Sequence, residues 1–294
     1  MESQEVLSYT PLLLKQEQRE FYFKNGYLYL ENFVNKDILK NLKRVTHNFV
    51  EESKELTESD TLFDVAPEHS KDRPVVRRIK RPDEQHEAYW NFTTGLMADL
   101  AQDLAGPNVT FHHSKLNFKW FDESDEVHWH QDIPFFPHTN YNVFTIGCYL
   151  EDTDMTNGPV AVLPGSHDTL IYNHYDKDGN WLGAINQDDI KEIDTSKVKY
   201  LTGTAGSVTI HNARTIHSSP ASKSSKPRPI LLNCYSSADA KPYTPHPDPS
   251  IHANTIVRGE RALWAQHDPR PCRVPPDWSK GYTSIYAAQA GENK

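Results

Sequence analysis

The hydrophobic pattern of this chain changes its period near Gly106-Pro107, and that change constrains the fold more than any other feature. Upstream, apolar residues recur every three or four positions over 38–49, behind Asn35, and over about 88–104, as in amphipathic helices. Downstream, short runs rich in Val, Ile, Phe, Thr and Tyr predict β-strands at 109–121, 142–150, 159–163, 199–211 and 229–235. Helices followed by many strands predict a mainly β fold with flanking helices: a double-stranded β-helix, the jelly-roll barrel also called cupin-like.

The 294 residues suit one decorated domain, because β-barrels and sandwiches of this size often fold as a single unit. We expect a helical N-terminal part over about 1–105, the barrel core over about 106–238 and a C-terminal wrap over about 239–294. The charged segment 58–87 is expected to be a loop, and the polar stretch between 168 and 197 a binding loop or lid. His246 and His252 in the wrap are expected at the surface.

The net charge and the cysteine content limit the classes of protein to which this chain can belong. A net charge of -9 argues against nucleic-acid partners, although the basic run over 71–81 allows either a solvated loop or a local anion site. Three cysteines without a CxxC motif favour a reducing compartment. With neither a secretory leader nor an apolar run long enough to span a bilayer, we expect a cytoplasmic protein, not inserted in a membrane, that can form a homodimer.

A histidine-rich segment over 127–138 contains the first candidate site. On a strand, residues two apart share a face, so His130 and Asp132 would lie side by side while Gln131 points the other way. A His-x-Asp pair is often only a surface ion pair. It is also half of the two-histidine, one-carboxylate site that leaves metal positions open and suits iron(II).

The second histidine of such a site can come from His211 or His217, which lie in one segment over 206–220. An oxygenase with open iron positions needs a cosubstrate, and a dicarboxylate cosubstrate needs a bidentate cation at its far end. Arg228 stands eleven residues after His217, whereas no arginine stands eleven residues after His211. This spacing favours His217.

Together these motifs resemble the phytanoyl-CoA dioxygenase family of iron(II)- and 2-oxoglutarate-dependent oxygenases. The resemblance covers about residues 106–228, with the motifs in the same order and at similar spacing. They are Gly106-Pro107-Asn108, Trp129-His130-Gln131-Asp132, Asn157-Gly158-Pro159, Val162-Leu163-Pro164-Gly165-Ser166-His167, and His217-x-Ser219 with Arg228. Several motifs in register are far more specific than any one of them.

The resemblance implies a non-haem dioxygenase that uses iron(II), 2-oxoglutarate and O2. Such an enzyme is expected to hydroxylate an aliphatic C–H bond of a small-molecule metabolite or natural-product intermediate, with 2-oxoglutarate converted to succinate and CO2. The implied catalytic iron ligands are His130, Asp132 and His217. The implied 2-oxoglutarate contacts are Arg228, Ser219 and, by counting back from Gly106, Arg78.

The substrate is not marked by any motif. Residues just after the iron motif are expected to line its pocket, namely Phe135, His138 and Asn140. Desaturation, epoxidation and cyclisation use the same iron site and stay open alongside hydroxylation. The alternative from another class is a cupin-like protein that binds a metal or small molecule without oxygenase turnover.

Overall fold

A computed structural model describes residues 1–121, 126–268, 273–278 and 284–291. Its helices are α1 (Ser3–Ser8), α2 (Gln16–Asn25), α3 (Lys36–Ser53), α4 (Pro82–Gln85), α5 (Glu87–Thr94), α6 (Leu96–Ala105), α7 (Gln187–Lys191) and α8 (Ile285–Gln289). Its strands are β1 (Tyr27–Leu30), β2 (Phe63–Val65), β3 (Val76–Lys80), β4 (Val109–Asn117), β5 (Val127–His130), β6 (Val143–Tyr149), β7 (Val160–Val162), β8 (Lys199–Leu201), β9 (Val208–Asn212), β10 (His217–Ser219), β11 (Ile230–Ser237) and β12 (Ile256–Arg258).

The strands form two antiparallel sheets, as the predicted barrel requires. The larger sheet has the order β1-β9-β6-β11-β4-β3-β2, with β12 added to β4, and the smaller sheet has the order β5-β10-β7-β8. Strands distant in sequence are neighbours in both sheets, which is the pattern of a double-stranded β-helix.

Alternation along β11 shows how the larger sheet separates two environments. Leu231 and Tyr235 belong to the main core with the helices, whereas Ile230 and Leu232 line a cavity inside the barrel. Since successive side chains of a strand point to opposite faces, one face of this sheet supports the helices and the other forms the barrel interior.

Helix α3 follows its sequence signals closely. The Asn35 side chain accepts hydrogen bonds from the backbone N–H groups of Asp37 and Ile38, as an N-cap does. Leu42 and Val45, on the predicted apolar face, are buried in the core. The predicted helix over 38–49 is confirmed as the central part of α3.

The single helix predicted over 88–104 is wrong in one respect, since the chain breaks at Gly95 into α5 and α6. Gly95 has φ -92° and ψ -111°, which lies outside the helical region. A Cβ at this position would stand 2.7 Å from the Asn91 carbonyl oxygen. The apolar period continues across the break, so periodicity alone does not reveal it.

The loop predicted over 58–87 is also wrong, because it contains β2, β3 and α4. Arg78 pairs with Asn117 and Lys80 with Lys115 in the register of β3 and β4. Arg78 and Lys80 are buried, so this part of the basic run is not a solvated loop. The charges of these strand residues hide the alternation expected of a strand.

The predicted run over 199–211 is divided between the two sheets, with β8 in the smaller and β9 in the larger. Gly206 lies between them at φ +89°, in the left-handed region where glycine is favoured. The polar stretch over 168–197 is mostly irregular, with α7 inside it. Within the described residues, no helix combines the length and apolar character needed to cross a membrane.

The expectation that His246 lies at the surface is wrong. This histidine of the C-terminal segment is half-buried and stacks on the buried His113, with ring centroids 4.0 Å apart. His252 is half-buried and stacks on Trp90 at 3.9 Å. The segment expected to form the wrap therefore contributes a side chain that packs on the barrel residue His113.

Candidate active site

Strand alternation places His130 and Asp132 inside the barrel. His130 ends β5, and Asp132 follows it on the same side. Gln131 points the other way, where its amide nitrogen donates to the backbone oxygens of Leu170 and Arg214. Gln131 thus fastens the strand end to surrounding loops and fixes the positions of its two neighbours.

His217 joins this pair because β10 runs antiparallel to β5, with His217 directly opposite His130. The His217 Nε2 atom lies 3.7 Å from Oδ1 of Asp132, and the His130 Nε2 atom lies 3.8 Å from the same oxygen. One ligand atom from each of the three residues falls within 4.8 Å of the others, and all three residues are buried. The structure therefore brings together the three predicted metal ligands.

Backbone hydrogen bonds orient both imidazoles. Nδ1 of His130 donates to the carbonyl of His128, and Nδ1 of His217 donates to the carbonyl of Thr215, each at 2.8 Å. With the proton on Nδ1, the Nε2 lone pair faces the centre of the site, which is how metal-binding histidines are usually oriented.

The two oxygens of Asp132 have different surroundings. Oδ2 accepts a hydrogen bond from the Thr145 hydroxyl at 3.0 Å and lies 3.3 Å from Nε2 of His211. Oδ1 is the oxygen that faces His130 and His217. Thr145 and His211 therefore hold the carboxylate so that Oδ1 is available to a metal.

The role of His211 was missed from the sequence, where it was weighed only as a competing metal ligand. Its signal lies in strand register, because His211 pairs with Thr145 across β9 and β6. Paired residues point to the same face of a sheet. Both therefore reach the same oxygen of Asp132.

The charge state of the three residues suits metal binding. Burial lowers the pKa of His130 to about 4, although Asp132 acts in the opposite direction, and burial also lowers the pKa of His217 well below 6.5. Burial raises the pKa of Asp132, but His217 and His211 outweigh it and hold that pKa well below 3.8. Neutral imidazoles and an ionised carboxylate are the forms that bind a metal. Two nitrogens and one oxygen fit iron(II).

Arg228 lies in the same cavity, with 2% of its surface exposed. Its Nε atom donates to the Gly158 carbonyl at 3.1 Å, and Nη2 donates to the Ser219 hydroxyl at 3.2 Å. Nη1 is buried without a hydrogen-bond partner among the described residues. Because burying an unpaired cation costs free energy, this guanidinium fits the distal carboxylate of a dicarboxylate.

Gly158 explains why the Asn157-Gly158-Pro159 motif belongs to the site. Its φ is +75°, and a Cβ there would stand 2.5 Å from the backbone oxygen of Pro220. Its carbonyl accepts hydrogen bonds from both Arg228 and Ser219. The turn therefore holds the guanidinium in place.

Two adjoining cavities occupy the barrel interior. The cosubstrate cavity, of about 60 Å3, is lined by the three candidate metal ligands together with Lys115, Asn117, Val127, Thr145, Val160, His211, Ser218, Ser219, Arg228, Ile230, Leu232, Ile285 and Tyr286. The second cavity, of about 30 Å3, is lined by Arg78, His113, Ser114, Lys115, Asp132, Phe135, Phe136, His246, Pro247, Asp248 and Ile285. Lys115, Asp132 and Ile285 belong to both.

The remaining predicted residues are divided between this site and other places. Phe135 and Arg78 line the second cavity, and Nε of Arg78 donates to the Asn117 side chain at 2.9 Å. His138 is buried, and its Nδ1 donates to the Phe136 carbonyl. The Asn140 amide donates to Asp239 and to the backbone of Gln266. Neither His138 nor Asn140 lines the two cavities.

Sequence reasoning missed Lys115, His113 and His246. His113 and Lys115 stand two apart on β4, ahead of Asn117, so alternation could have placed all three on one face. His246 gives no such signal, because the tail lacks a regular period.

Comparisons with known proteins agree with this geometry. The family model described as phytanoyl-CoA dioxygenase matches residues 22–230. Among curated proteins, a probable alpha-ketoglutarate-dependent hypophosphite dioxygenase of Stutzerimonas stutzeri is 29% identical over 284 residues, covering 94% of this chain and 97% of the relative. The peroxisomal phytanoyl-CoA dioxygenase of Rattus norvegicus is 25% identical over 240 residues, covering 78% and 70% respectively.

Solved structures support the fold. The apo crystal structure of EctD from S. alaskensis superposes with a TM-score of 0.68 at 20% identity, covering 86% of this chain and 90% of that one. With the family match extending over most of the chain, the alternative of a binding protein without turnover is not favoured. The chain belongs to the phytanoyl-CoA dioxygenase family and is an iron(II)- and 2-oxoglutarate-dependent dioxygenase.

Proposed function

We propose that His130, Asp132 and His217 bind the iron, and that Arg228, with Ser219, binds the distal carboxylate of 2-oxoglutarate. The observation that carries this assignment is the meeting, in one buried cavity, of the three converging donor atoms and the unpartnered Nη1 of Arg228. The residues that provide these features lie in separate segments of the chain, so a single local sequence pattern does not explain why they meet.

Iron and 2-oxoglutarate, when bound, supply the oxygen activation that converts the cosubstrate to succinate and CO2 and transfers one oxygen atom to the substrate. The chain itself needs no strong general base. Thr145 and His211 orient Asp132, Arg228 orients the cosubstrate, and the buried walls exclude water. Their combined task is to hold the substrate bond in reach of the oxidant.

Arg78 stands in the second cavity, whereas its hydrogen-bond partner Asn117 lines the cosubstrate cavity. We therefore propose that Arg78 influences 2-oxoglutarate through Asn117, in place of the direct contact expected from the sequence. Arg78→Met would then raise the 2-oxoglutarate concentration needed for half-maximal turnover less than Arg228→Met does.

The size of the second cavity restricts the substrate. Since a water molecule needs roughly 10–15 Å3 of such space, a cavity of about 30 Å3 suits a molecule of few non-hydrogen atoms. We propose a substrate of this size and name hypophosphite, the compound in the name of the S. stutzeri relative, as the first to test. Its P–H bond is a hydroxylation target in the way that an aliphatic C–H bond is.

We also propose a cytoplasmic location, which the buried thiols of Cys148 and Cys234 support because they are free and free thiols suit a reducing compartment. Cys272 lies outside the described residues. A homodimer stays a prediction, and sedimentation velocity of the purified chain would test it.

Turnover assays test the proposed function. Purified protein supplied with iron(II), 2-oxoglutarate, O2 and hypophosphite should form succinate and phosphite in equal amounts. His217→Ala should reduce this to background, while Lys223→Met, at an exposed lysine, serves as the matched surface control. Full turnover by a folded His217→Ala variant would contradict the assignment of the metal site.

A further inference from the structure

Lys115 stands where the two cavities meet. It lies on β4, between His113 and Asn117, and lines both the cosubstrate cavity and the second cavity. No acceptor or carboxylate within the described ranges forms a hydrogen bond or ion pair with its ammonium group. A partly buried cation without a partner is a candidate for binding an anion.

The charged residues around the second cavity allow Lys115 to bind an anion. Its two carboxylates are those of Asp132, which faces the metal ligands, and Asp248, which forms an ion pair with Arg81. Asp132 attracts the Lys115 ammonium electrostatically, but neither carboxylate forms an ion pair with it within the described residues. The cavity therefore has an excess of positive charge on the side away from Arg228.

Arg78 adds to this excess, although less clearly than Lys115. Only its Nε atom takes part in a hydrogen bond within the described part of the chain, to Asn117. Asp64 stands opposite Arg78 in the β2–β3 pair, but that carboxylate also interacts with Lys80. Lys115 is therefore the main candidate for binding an anion, and Arg78 is a second cation at the rim of the cavity.

The other walls are neutral. Burial, reinforced by Lys115 and Arg78, lowers the pKa of His246 to about 3. Burial likewise lowers the pKa of His113 well below 6.5. These stacked imidazoles offer hydrogen bonds without charge, while Phe135 and Phe136 exclude water.

From this geometry we infer that Lys115 is the substrate-binding residue, and that the substrate class is a small inorganic oxyanion carrying an oxidisable element–hydrogen bond. Arg78, His113 and His246 complete the oxyanion site. The inference rests on the proposed function. When 2-oxoglutarate is bound, the iron and Arg228 would neutralise its two carboxylates. The positive charge of Lys115 is then available to the substrate.

The reaction balances for hypophosphite as the representative of this class. One oxygen atom of O2 enters a P–H bond to give P–OH, and the other enters succinate as 2-oxoglutarate loses CO2. Substrate and cosubstrate each supply two of the four electrons that reduce O2. Phosphite leaves as the dianion with release of one proton.

The test measures two affinities separately in anaerobic, iron(II)-loaded protein. The 2-oxoglutarate affinity is read from the visible absorption of the chelated cosubstrate. Oxyanion binding to that complex is read from the 31P line broadening of hypophosphite by the paramagnetic iron. The variants are Lys115→Met, Lys115→Arg, which keeps the charge, and the surface control Lys223→Met.

For Lys115→Met we expect hypophosphite affinity to fall roughly 10- to 100-fold, the effect of losing one charge-assisted contact. Its 2-oxoglutarate affinity should stay within about threefold of the wild-type value, since Arg228 and the iron are intact. Lys115→Arg should recover part of the hypophosphite affinity, and Lys223→Met should match wild type. A neutral molecule of similar size, acetamide, should not compete with hypophosphite.

Three results would overturn the inference. One is loss of 2-oxoglutarate affinity in Lys115→Met with hypophosphite affinity unchanged, which would assign the lysine to the cosubstrate. Another is a wild-type complex that binds 2-oxoglutarate yet binds neither hypophosphite nor phosphite, which would leave only the proposed iron and 2-oxoglutarate sites standing. The third is absence of 2-oxoglutarate binding in folded wild type, which would remove both. Melting temperatures of all variants identify any that fail to fold.

Discussion

Asp132 is held by two residues outside the set of three proposed metal ligands, His130, Asp132 and His217. Thr145 and His211 both approach Oδ2, which leaves Oδ1 turned toward His130 and His217. Groups that orient a ligand in this way commonly change metal affinity 10- to 100-fold when they are removed.

We therefore expect Thr145→Val to weaken iron(II) binding about tenfold, because the carboxylate loses its hydroxyl donor while the volume of the side chain is kept. Competition with a fluorescent iron chelator under anaerobic conditions measures this affinity. Ser218→Ala, at another residue lining the cavity, is the matched control. An unchanged affinity in Thr145→Val would show that the hydroxyl does not position Asp132.

At this scale the sequence was informative where chemistry requires a particular residue at a particular spacing. The three converging donors and Arg228 were all found from motifs. The roles of Lys115 and His211 in the site were not predicted, because they depend on which strands become neighbours in the sheet. His246 joins His113 across more than a hundred residues of chain, and no local pattern reports that contact.

Among the elements, the connection before α2 depends on a single carboxylate on α6. Asp103 accepts hydrogen bonds from the backbone N–H groups of Leu12, Leu13 and Leu14 at 2.6, 2.8 and 2.7 Å. It is buried, so water cannot replace it freely. The N-terminal segment is attached to the helical layer through this residue.

We expect Asp103→Ala to lower the free energy of unfolding by about 2–4 kcal/mol, because three partly buried donors lose their acceptor. Urea denaturation measures the change. Asn35→Ala, which removes only the N-cap of α3, should cost about 1 kcal/mol. Equal losses in the two variants would contradict the special role given to Asp103.

The hydrophobic period alone does not predict all the helices and strands. Helix α3 follows its pattern, since it is bounded by a strong local signal, the N-cap residue Asn35. The break at Gly95 leaves the apolar period intact and was missed for that reason. Strand β3 was missed because Arg78 and Lys80 are charged, and the burial of these two residues depends on pairing with β4.

On the scale of the whole molecule, buried neutral histidines make stability depend on pH. Burial lowers the pKa of His138 to about 4, and the pKa values of His174 and His246 to about 3. In the unfolded chain these groups return to about 6.5. Below that value the unfolded state binds more protons than the folded state.

The metal-free protein should therefore lose stability as the pH falls from about 6.5 toward 4, by up to about 1.4 kcal/mol per pH unit for each such histidine. This contribution is fully present above the unfolded pKa. Melting temperatures measured at about pH 7.5 and pH 5.5 check the sign. A melting temperature that stayed constant or rose on acidification would show that these imidazoles are not buried in the neutral form.

The central claim of this account is the pairing of an iron site at His130, Asp132 and His217 with a carboxylate site at Arg228. The most direct measurement is anaerobic titration of the metal-free protein with iron(II) and 2-oxoglutarate, following the weak visible band of a chelated 2-oxo acid. We predict the band in wild type, its loss in His217→Ala, and in Arg228→Met its recovery only at much higher 2-oxoglutarate concentration. Absence of the band in folded, iron-loaded wild type, or its full retention in both variants, would contradict the account.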